Sequence, residues 1–378
     1  MKNKKAGMFI SLFASGIVSL AGIASAEEPA GSLSFWEKTK VTGGIDVNYN
    51  YSFNRPTTTV AGPATNGYRA FDSNANSFNI SNVEIAIESA PTDWVTFRTD
   101  LDFGRDPKLV NGTENWAAGE IFNLQQAYVA LKAPVGNGLT FKIGKFVTMH
   151  GNEVLEGWAN NNISRSLLFN YAIPFTHTGI MANYAFTDWL TVDLGVVNGW
   201  NSVVDINNGK SVHAQFTIKP FDKLTWIIGG TVGPETAGAD GPIRALVDTT
   251  LTYVPTDKWT LAINYDWGRD SALAGHGGFA DWQGVAGYVH WVPIDWFGLS
   301  FRGEFYKDDV GTLGVPTGAV ASTKVFEGTL TSHFYVSDGL DLRLEYRHDH
   351  GNNASFLRGN GASRRFQDTV AAQVVYAF

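Results

Sequence analysis

The sequence has 378 residues, a formal net charge of −8, no cysteine, 13% aromatic residues and only 17% charged residues. Without cysteine there can be no disulfide framework, thiolate metal site or cysteine nucleophile, and the abundance of aromatic residues excludes a disordered chain. A mean hydropathy of −0.09 excludes a bundle of membrane-spanning helices, since each such helix needs about 20 consecutive apolar residues.

The first 26 residues have the three parts of a secretory signal. A basic start at 1–5 precedes an apolar stretch that reaches Ile23, and small residues follow at 24–26. This order is typical of a cleaved signal peptide. We predict cleavage after Ala26 and a short periplasmic lead at 27–38. A permanent anchor helix is the alternative, because the apolar stretch is just long enough to span a membrane.

The charge of the chain bears on its partners. The predicted signal carries three lysines and no acidic residue, so its removal leaves a net charge of −11. An acidic chain without a run of Lys and Arg lacks the electrostatic footprint that nucleic acid requires. We therefore expect no nucleic-acid partner.

From residue 39 onward the strongest pattern is the alternation of apolar and polar residues. In 340–347 every apolar residue has one parity and every charged residue has the other. Successive side chains of a strand point to opposite faces, so such a segment has one apolar and one polar face. Segments 121–131 and 243–254 alternate poorly, and we predict them as strands from their length and flanking turns. The clear pattern recurs in three further segments, 95–103, 259–267 and 297–305.

Short and long connections also alternate along the chain. Seven are short and rich in Asp, Pro and Gly, which is typical of tight turns, at 91–94, 134–138, 187–189, 221–223, 255–259, 293–296 and 337–339. Eight are long and polar, near residues 54–76, 105–120, 149–173, 201–209, 234–242, 268–279, 307–323 and 350–365. Fifteen connections of this kind join sixteen strands.

This asymmetry predicts an all-β fold in the bacterial outer membrane. Outer-membrane barrels have an even number of antiparallel strands, short periplasmic turns and long extracellular loops. Strands of about 10 tilted residues suffice to cross the hydrocarbon. We predict a transmembrane, up-and-down antiparallel β-barrel of about 16 strands over residues 39–378, surrounded by the lipid of a Gram-negative outer membrane.

Tryptophan positions support the barrel. Trp94, Trp189, Trp259 and Trp296 each follow a turn Asp within two residues, and Trp226 follows one by four. A ring of Trp at one end of the strands corresponds to the aromatic girdle at a lipid interface. The alternative is a soluble β-sandwich with tryptophans in its core.

The last ten residues alternate up to a terminal aromatic residue. This pattern resembles the signal by which outer-membrane barrels are recognised for assembly. The last strand has to pair with the first, because an open edge in lipid would leave backbone groups unpaired. One face of this strand carries Val370, Ala372, Val374, Tyr376 and Phe378.

Several short motifs resemble those of one family. They are Gly-Ile-Asp at 44–46, Asn-Ser-Phe at 76–78, Gly-Lys-Phe-Val at 144–147, Gly-Asn-Glu-Val at 151–154, Asn-Ile-Ser-Arg-Ser-Leu-Leu at 162–168, Pro174, His-Thr-Gly at 177–179 and Val-Asn-Gly-Trp at 197–200. On these motifs the chain resembles the OmpL-like β-barrel porins, also called the second β-barrel porin family. The resemblance covers residues 40–200, after which only the hairpin rhythm continues. It implies an outer-membrane channel and supplies no substrate.

Nine charged strand residues have the parity of a lumen-facing side chain. Barrels of sixteen to eighteen strands leave an aqueous lumen, and an Arg or Lys that faces lipid at mid-depth costs about 2–4 kcal/mol. The alternative is that these charged residues pair with one another in a solvated barrel wall and do not select what passes. The predicted pore-lining residues are Arg98, Asp100, Asp102, Asp266, Arg302, Glu304, Arg343, Glu345 and Arg347.

The loop at 150–173 follows the predicted fifth strand. By analogy with general porins, we predict that it folds into the lumen and narrows it. Fixed charges at a constriction set ion preference through their local field, so Glu153, Glu156 and Arg165 are the predicted constriction residues. The alternative is a loop that lies outward and caps the rim.

No motif predicts catalysis, a cofactor or a metal. His348 and His350 lie on one strand face and could bind a metal ion. No third ligand is apparent, so we predict that they are two histidines at the barrel rim without a metal. Gly144-Lys145 is not a phosphate-binding loop, because Phe146 occupies the Ser/Thr position.

The sequence thus predicts a porin that passes small hydrophilic solutes or ions by passive diffusion through a charged lumen. A homotrimer is one assembly that a large porin adopts. Two other classes stay open. One is a structural or partner-binding barrel with a plugged pore, facing an extracellular protein or an electron-transfer cytochrome. The other is an outer-membrane enzyme with an active site at the rim.

Overall fold

The computed structural model describes residues 35–57, 64–115, 120–271, 279–309 and 322–378. The predicted signal peptide lies outside these residues. Sixteen strands form one closed antiparallel barrel: β1 (Thr39–Ser52), β2 (Ser77–Thr92), β3 (Val95–Phe103), β4 (Phe122–Ala133), β5 (Leu139–Val147), β6 (Thr176–Thr187), β7 (Leu190–Val197), β8 (Ser211–Phe221), β9 (Leu224–Thr236), β10 (Ala239–Thr256), β11 (Trp259–Asp270), β12 (Ala280–Ile294), β13 (Phe297–Asp308), β14 (Thr323–Ser337), β15 (Leu340–Gly351) and β18 (Phe366–Ala377).

The remaining elements lie in the connections. A hairpin of β16 (Phe356–Leu357) and β17 (Ser363–Arg364) interrupts the last long loop, and helix α1 (Arg105–Thr113) follows β3. Short 3₁₀ helices at Phe35–Lys38 and Gly157–Ala159 and a π-helical turn at Leu168–Ala172 complete the set. Among the described residues, no helix is long and apolar enough to cross a membrane.

The last strand closes the barrel. β18 pairs with β15 on one side and with β1 on the other, where Gly44 lies opposite Ala377. Gly43 and Phe378 exchange two backbone hydrogen bonds of 3.1 and 3.0 Å. No edge strand is left in this sheet, so the backbone requirement of a lipid environment is met. The predicted closed barrel of sixteen strands is confirmed.

The barrel is apolar outside and polar inside. Along β15 the apolar side chains Leu342, Leu344 and Tyr346 are exposed, and the charged residues between them are buried. The five tryptophans predicted to ring the turn end are all exposed, with relative exposures of 38–58%. Alternation therefore separates a lipid-compatible surface from a polar interior.

One predicted long loop is absent. The segment 234–242 was expected to be a polar loop, but β9 reaches Thr236, β10 starts at Ala239, and these two residues pair. Gly238 supplies the left-handed backbone of the tight turn, with φ of +70°. The prediction is wrong here because this hairpin extends past the apolar part of the strands. Both of its faces can then be polar, and alternation disappears from the sequence.

Two glycines with left-handed backbone allow a test of the closure. A Cβ added at Gly339, in the β14–β15 turn, would lie 2.1 Å from the backbone oxygen of Ala377, whereas one added at Gly238 would meet nothing within 4 Å. We expect Gly238→Ala to cost about 1 kcal/mol from backbone strain. Gly339→Ala should cost about 1–3 kcal/mol more because of the steric clash. Urea unfolding of both refolded variants measures the difference, and equal losses would show that the turn does not pack against the last strand.

Candidate functional site

The β5–β6 loop, residues 148–175, contacts strands far from its own. In the closed strand order, β14 lies eight positions from β6, which is the opposite side of the barrel. The side-chain amide of Asn162 donates a hydrogen bond of 2.8 Å to Thr331 on β14. The ring of Trp158 lies against Gly44 on β1, 2.7 Å from where a Cβ would stand. The absence of a side chain at Gly44 leaves room for this ring.

Two wall carboxylates each bind a pair of loop amides. Glu304 accepts hydrogen bonds of 2.7 Å from both amides of 167–168, and Glu345 accepts bonds of 2.6 and 3.1 Å from the amides of 163–164. The first amides of a helical turn have no intrahelical acceptor. The π-helical turn at Leu168–Ala172 therefore presents its first amides to Glu304, and the negative charge of both carboxylates strengthens their bonds.

An arginine on β13 joins the same loop to the wall. Arg302 donates to Glu153 at 2.7 Å and to the backbone oxygen of Ser164 at 2.6 Å. It also pairs with Glu327 on β14 at 2.6 Å. The side chains of Arg302 and Glu327 are both fully buried. Buried charges of this kind are retained only where they are paired and hydrogen-bonded.

Two arginines on β15 bind backbone carbonyls of the loop and carboxylates of their own strand. Arg343 donates to the backbone oxygens of residues 157, 158 and 160 at distances of 2.9–3.1 Å. Arg347 donates to the backbone oxygen of Arg165 at 2.7 Å and pairs with Asp349 at 2.8 Å. The planar guanidinium, with five donors, suits this simultaneous contact with carbonyls and carboxylates.

All nine predicted pore-lining residues lie on the inward face of their strands. Eight are buried, and Arg98 is partly exposed, with 25% of its side-chain surface accessible. Parity identified the face of each residue, but it could not reveal which of them contact the loop. Five hydrogen-bond the β5–β6 loop, namely Arg302, Glu304, Arg343, Glu345 and Arg347.

The three predicted constriction residues have different environments. Glu153 is buried and accepts hydrogen bonds from Arg302 and from Ser166. Arg165 is buried and donates to three carbonyls of its own loop at 2.8–3.2 Å. Both side chains therefore hold the loop in shape. Glu156 is half-buried and accepts a hydrogen bond of 2.7 Å from Gln125 on β4.

Acidic side chains from β2 and β3 lie near Glu156. Glu84 and Asp102 are direct cross-strand neighbours, and Asp100 accepts a hydrogen bond of 2.5 Å from Gln126. Burial raises the pKa of the Glu156 carboxyl, and the negative charge of Asp100 acts in the same direction.

Two basic side chains stand on the same part of the wall, nearer the turns. Arg98 on β3 pairs with Asp100 at 2.8 Å. Lys142 on β5 lies over the ring of Tyr128, with its ammonium 4.6 Å from the ring centroid, a favourable cation–π geometry. Both residues are partly exposed. We call Glu84, Asp100, Asp102, Glu156, Arg98 and Lys142 together the charged wall.

An apolar cluster inside the barrel was not predicted. It joins inward strand residues to side chains of four long loops, including Tyr68, Phe71, Val110, Leu168, Phe169, Phe175, Trp282, Tyr306 and Phe356. The indole of Trp282 on β12 donates 3.1 Å to the backbone oxygen of Ala172. Apolar residues at 167–169 in a predicted polar loop were the sequence signal for this cluster.

The histidines of the described residues occupy three separate places, one of which holds His290 and His333, with ring centroids 5.4 Å apart. His150, His177 and His213 are buried together, with the rings of His177 and His213 4.2 Å apart. Sequence spacing gave no sign of this cluster. His348 and His350 lie on the outward face of β15, where His348 contacts Asp368 at 2.8 Å. Within the described ranges, no three His, Cys, Asp or Glu side chains are arranged to hold a metal ion.

Solved structures of outer-membrane proteins share this fold. The anion-selective porin from Comamonas acidovorans aligns with 90% of this chain and 99% of its own, at a TM-score of 0.61 and 14% identity. OmpF of Salmonella typhi in complex with daunomycin aligns with 90% of this chain and 97% of its own, at a TM-score of 0.61 and 12% identity. A trimer form of the outer membrane protein OmpT of Vibrio cholerae aligns with 90% of this chain and 99% of its own, at a TM-score of 0.53 and 9% identity. At these identities the likeness shows the fold alone.

Sequence comparison identifies the family. Among curated proteins no match was found. Residues 38–378 match the family described as "Putative beta-barrel porin-2, OmpL-like", which extends the resemblance first seen at residues 40–200 to the whole barrel. The chain therefore belongs to the OmpL-like β-barrel porin family, which supports an outer-membrane porin, and its structural neighbours share the barrel fold.

Proposed function

We propose that the protein allows small hydrophilic solutes or ions to diffuse passively through a charged lumen that the β5–β6 loop narrows. The observation that carries this proposal is the attachment of the loop to the opposite wall by Glu304, Glu345 and three arginines. A loop held at both walls has a fixed position, which a constriction requires if its size and charge are to select solutes.

The open part of the lumen would lie on one side. The loop is bonded to β13–β15 and packs against β1, which fills that sector with buried side chains. On the other side, inward residues near the turn end are partly exposed. They include Arg98, Lys142, Asn183, Thr191 and Thr217 on β3 and β5–β8. This polar surface would line the path that a hydrated solute takes.

The charged wall would favour cations at a pH at which its carboxyl groups are ionised. It has four carboxyl groups against two basic side chains. Water-filled channels with low-dielectric walls concentrate the field of such groups, so a small excess of one sign influences which ions enter. The similar porin described as anion-selective is only a structural neighbour, and we expect the opposite preference in this chain.

We further infer that the protein is exported by a cleaved signal, assembles as a homotrimer and has no catalytic activity. The signal, cleaved after Ala26, would direct export to the periplasm, from which the barrel would enter the outer membrane. A homotrimer is supported by the trimer form of one structural neighbour. We infer a channel and no enzyme, because the family is one of porins and one structural neighbour is described as an anion-selective porin.

A plugged barrel that binds a partner is the second candidate. The apolar cluster favours it, because loop side chains such as Phe71, Phe169 and Phe356 fill part of the interior. The two candidates differ in conductance. Discrete current steps in a planar bilayer support the porin, whereas folded, inserted protein that stays silent at modest voltage supports the plugged barrel.

We expect the open channel to prefer cations, and Glu156→Gln to reduce this preference because one lumen carboxylate is lost. The reversal potential under a tenfold KCl gradient measures the preference. Asp257→Asn, at an exposed position in the β10–β11 turn, removes the same charge outside the lumen and serves as the control. An anion-selective potential in the wild type, or an equal change in both variants, contradicts the assignment of the charged wall.

Cation preference should also depend on pH. Because burial raises the pKa of Glu156, its carboxyl takes up a proton at a higher pH than an exposed glutamate, whose ordinary pKa is about 4.3. The preference should therefore weaken as the pH falls, starting above that value. Reversal potentials recorded between pH 8 and pH 4 test this. In Glu156→Gln the dependence should be smaller, and an unchanged profile would remove Glu156 from the explanation.

The loop attachment predicts a further effect. In Glu304→Gln, the side-chain oxygen can accept one of the two loop amides, while its NH₂ group opposes the other. We expect a loss of about 1–3 kcal/mol in unfolding free energy and noisier, larger current steps from a less constrained loop. Glu120→Gln, at an exposed loop position, is the matched control. Current steps identical to wild type in Glu304→Gln would show that the attachment does not set the constriction.

A further inference from the structure

A group of basic side chains lies on the outer surface at the loop end of β11 to β18. Lys307 on β13 and Lys324 on β14 are direct cross-strand partners. Both have outward parity, since Tyr306, Asp308, Thr323 and Val325 beside them are buried. Arg269 on β11 and Arg364 on β17 flank them, and His350 on β15 lies next to Phe326. We call Arg269, Lys307, Lys324, His350 and Arg364 the basic rim.

Aromatic side chains lie directly below the basic rim. Phe305 and Phe326 are the cross-strand pair two residues before Lys307 and two after Lys324, and their ring centroids are 4.8 Å apart. Arg269 lies over Trp267 at 5.2 Å, and Arg364 lies over Phe366 at 5.1 Å. Aromatic rings on the outward face mark the depth of the lipid interface. The basic groups are thus at headgroup level, on the extracellular side of the apolar band.

The charges of the basic rim are only partly balanced. Arg269 pairs with Asp281 at 2.8 Å, and Lys307 pairs with Asp309. No ion pair joins the exposed Lys324 to a carboxylate of any described residue. Like charges directly opposite each other on a sheet are destabilising, so the adjacent ammonium groups of Lys307 and Lys324 favour an anion between them. This excess of positive charge contrasts with the acidic chain as a whole.

We propose that the basic rim binds the phosphate groups of a phosphorylated acyl-glycolipid of the outer leaflet, with Lys307 and Lys324 as the central contacts. Its acyl chains would lie along the apolar surface below Phe305 and Phe326. The surface fits this occupant because such a molecule carries phosphates above its acyl chains. The basic rim likewise lies above the apolar surface, so each part of the lipid meets a group of matching chemistry. The proposal rests on the outer-membrane location and is independent of solute passage.

Binding to the refolded protein in nonionic detergent tests this. Purified bis-phosphorylated lipid A is titrated in EDTA, and the midpoint of thermal unfolding is followed by tryptophan fluorescence. We expect a saturable rise in the midpoint for the wild type and none with dephosphorylated lipid A. In the double variant Lys307→Gln/Lys324→Gln, the apparent dissociation constant should rise about tenfold or more, because two charge-assisted contacts are lost.

The matched control changes the same charges at the other end of the barrel. Lys223 and Lys258 are exposed at the turns, where their ammonium groups donate to the backbone oxygens of Pro255 and Pro293. Lys223→Gln/Lys258→Gln should bind the lipid as the wild type does. An equal response to dephosphorylated lipid, wild-type affinity in the rim variant, an equal loss in the control or no shift at all would each overturn the proposal.

Discussion

The requirement that every backbone amide and carbonyl be paired inside lipid governs this structure. β18 meets it by pairing with both β15 and β1, and the mutual hydrogen bonds of Gly43 and Phe378 complete the seam. Once the sheet is closed, pleating sends alternate side chains to two separate environments. The exposed apolar residues of β15 and its buried charges follow directly from that closure.

The polar interior creates a second requirement, because buried charges need partners. The wall satisfies part of it internally, as in the pair of Arg302 and Glu327. The β5–β6 loop satisfies much of the rest with its backbone. Its amides bind Glu304 and Glu345, and its carbonyls bind Arg343 and Arg347. Backbone groups can serve this purpose whatever side chains the loop carries, so the wall contributes to the path of the loop beside the loop's own side chains Glu153 and Arg165.

The sequence predicted the barrel, its strand number and the inward face of its charged residues, because alternation, turn chemistry and terminal pairing are local patterns. Contacts across the barrel have no such local signature. Nothing near Glu304 shows that it binds amides more than a hundred positions away. Likewise, the analogy with general porins and the charges of Glu153 and Arg165 predict a constriction role, whereas their burial against Arg302 and loop carbonyls depends on a loop path that spacing does not encode.

The distance along the chain between the loop and its attachment points also constrains the order of assembly. Leu167 precedes its partner Glu304 by 137 residues, and Ile163 precedes Glu345 by 182. Contacts so distant in sequence form only after the intervening chain is in place. The contacts of the β5–β6 loop with β1 and β4 can form earlier, but its amides and carbonyls gain their partners on the opposite wall only once β13 to β15 are in place. The lumen of this barrel would acquire its final shape last, as one of the closing steps of folding.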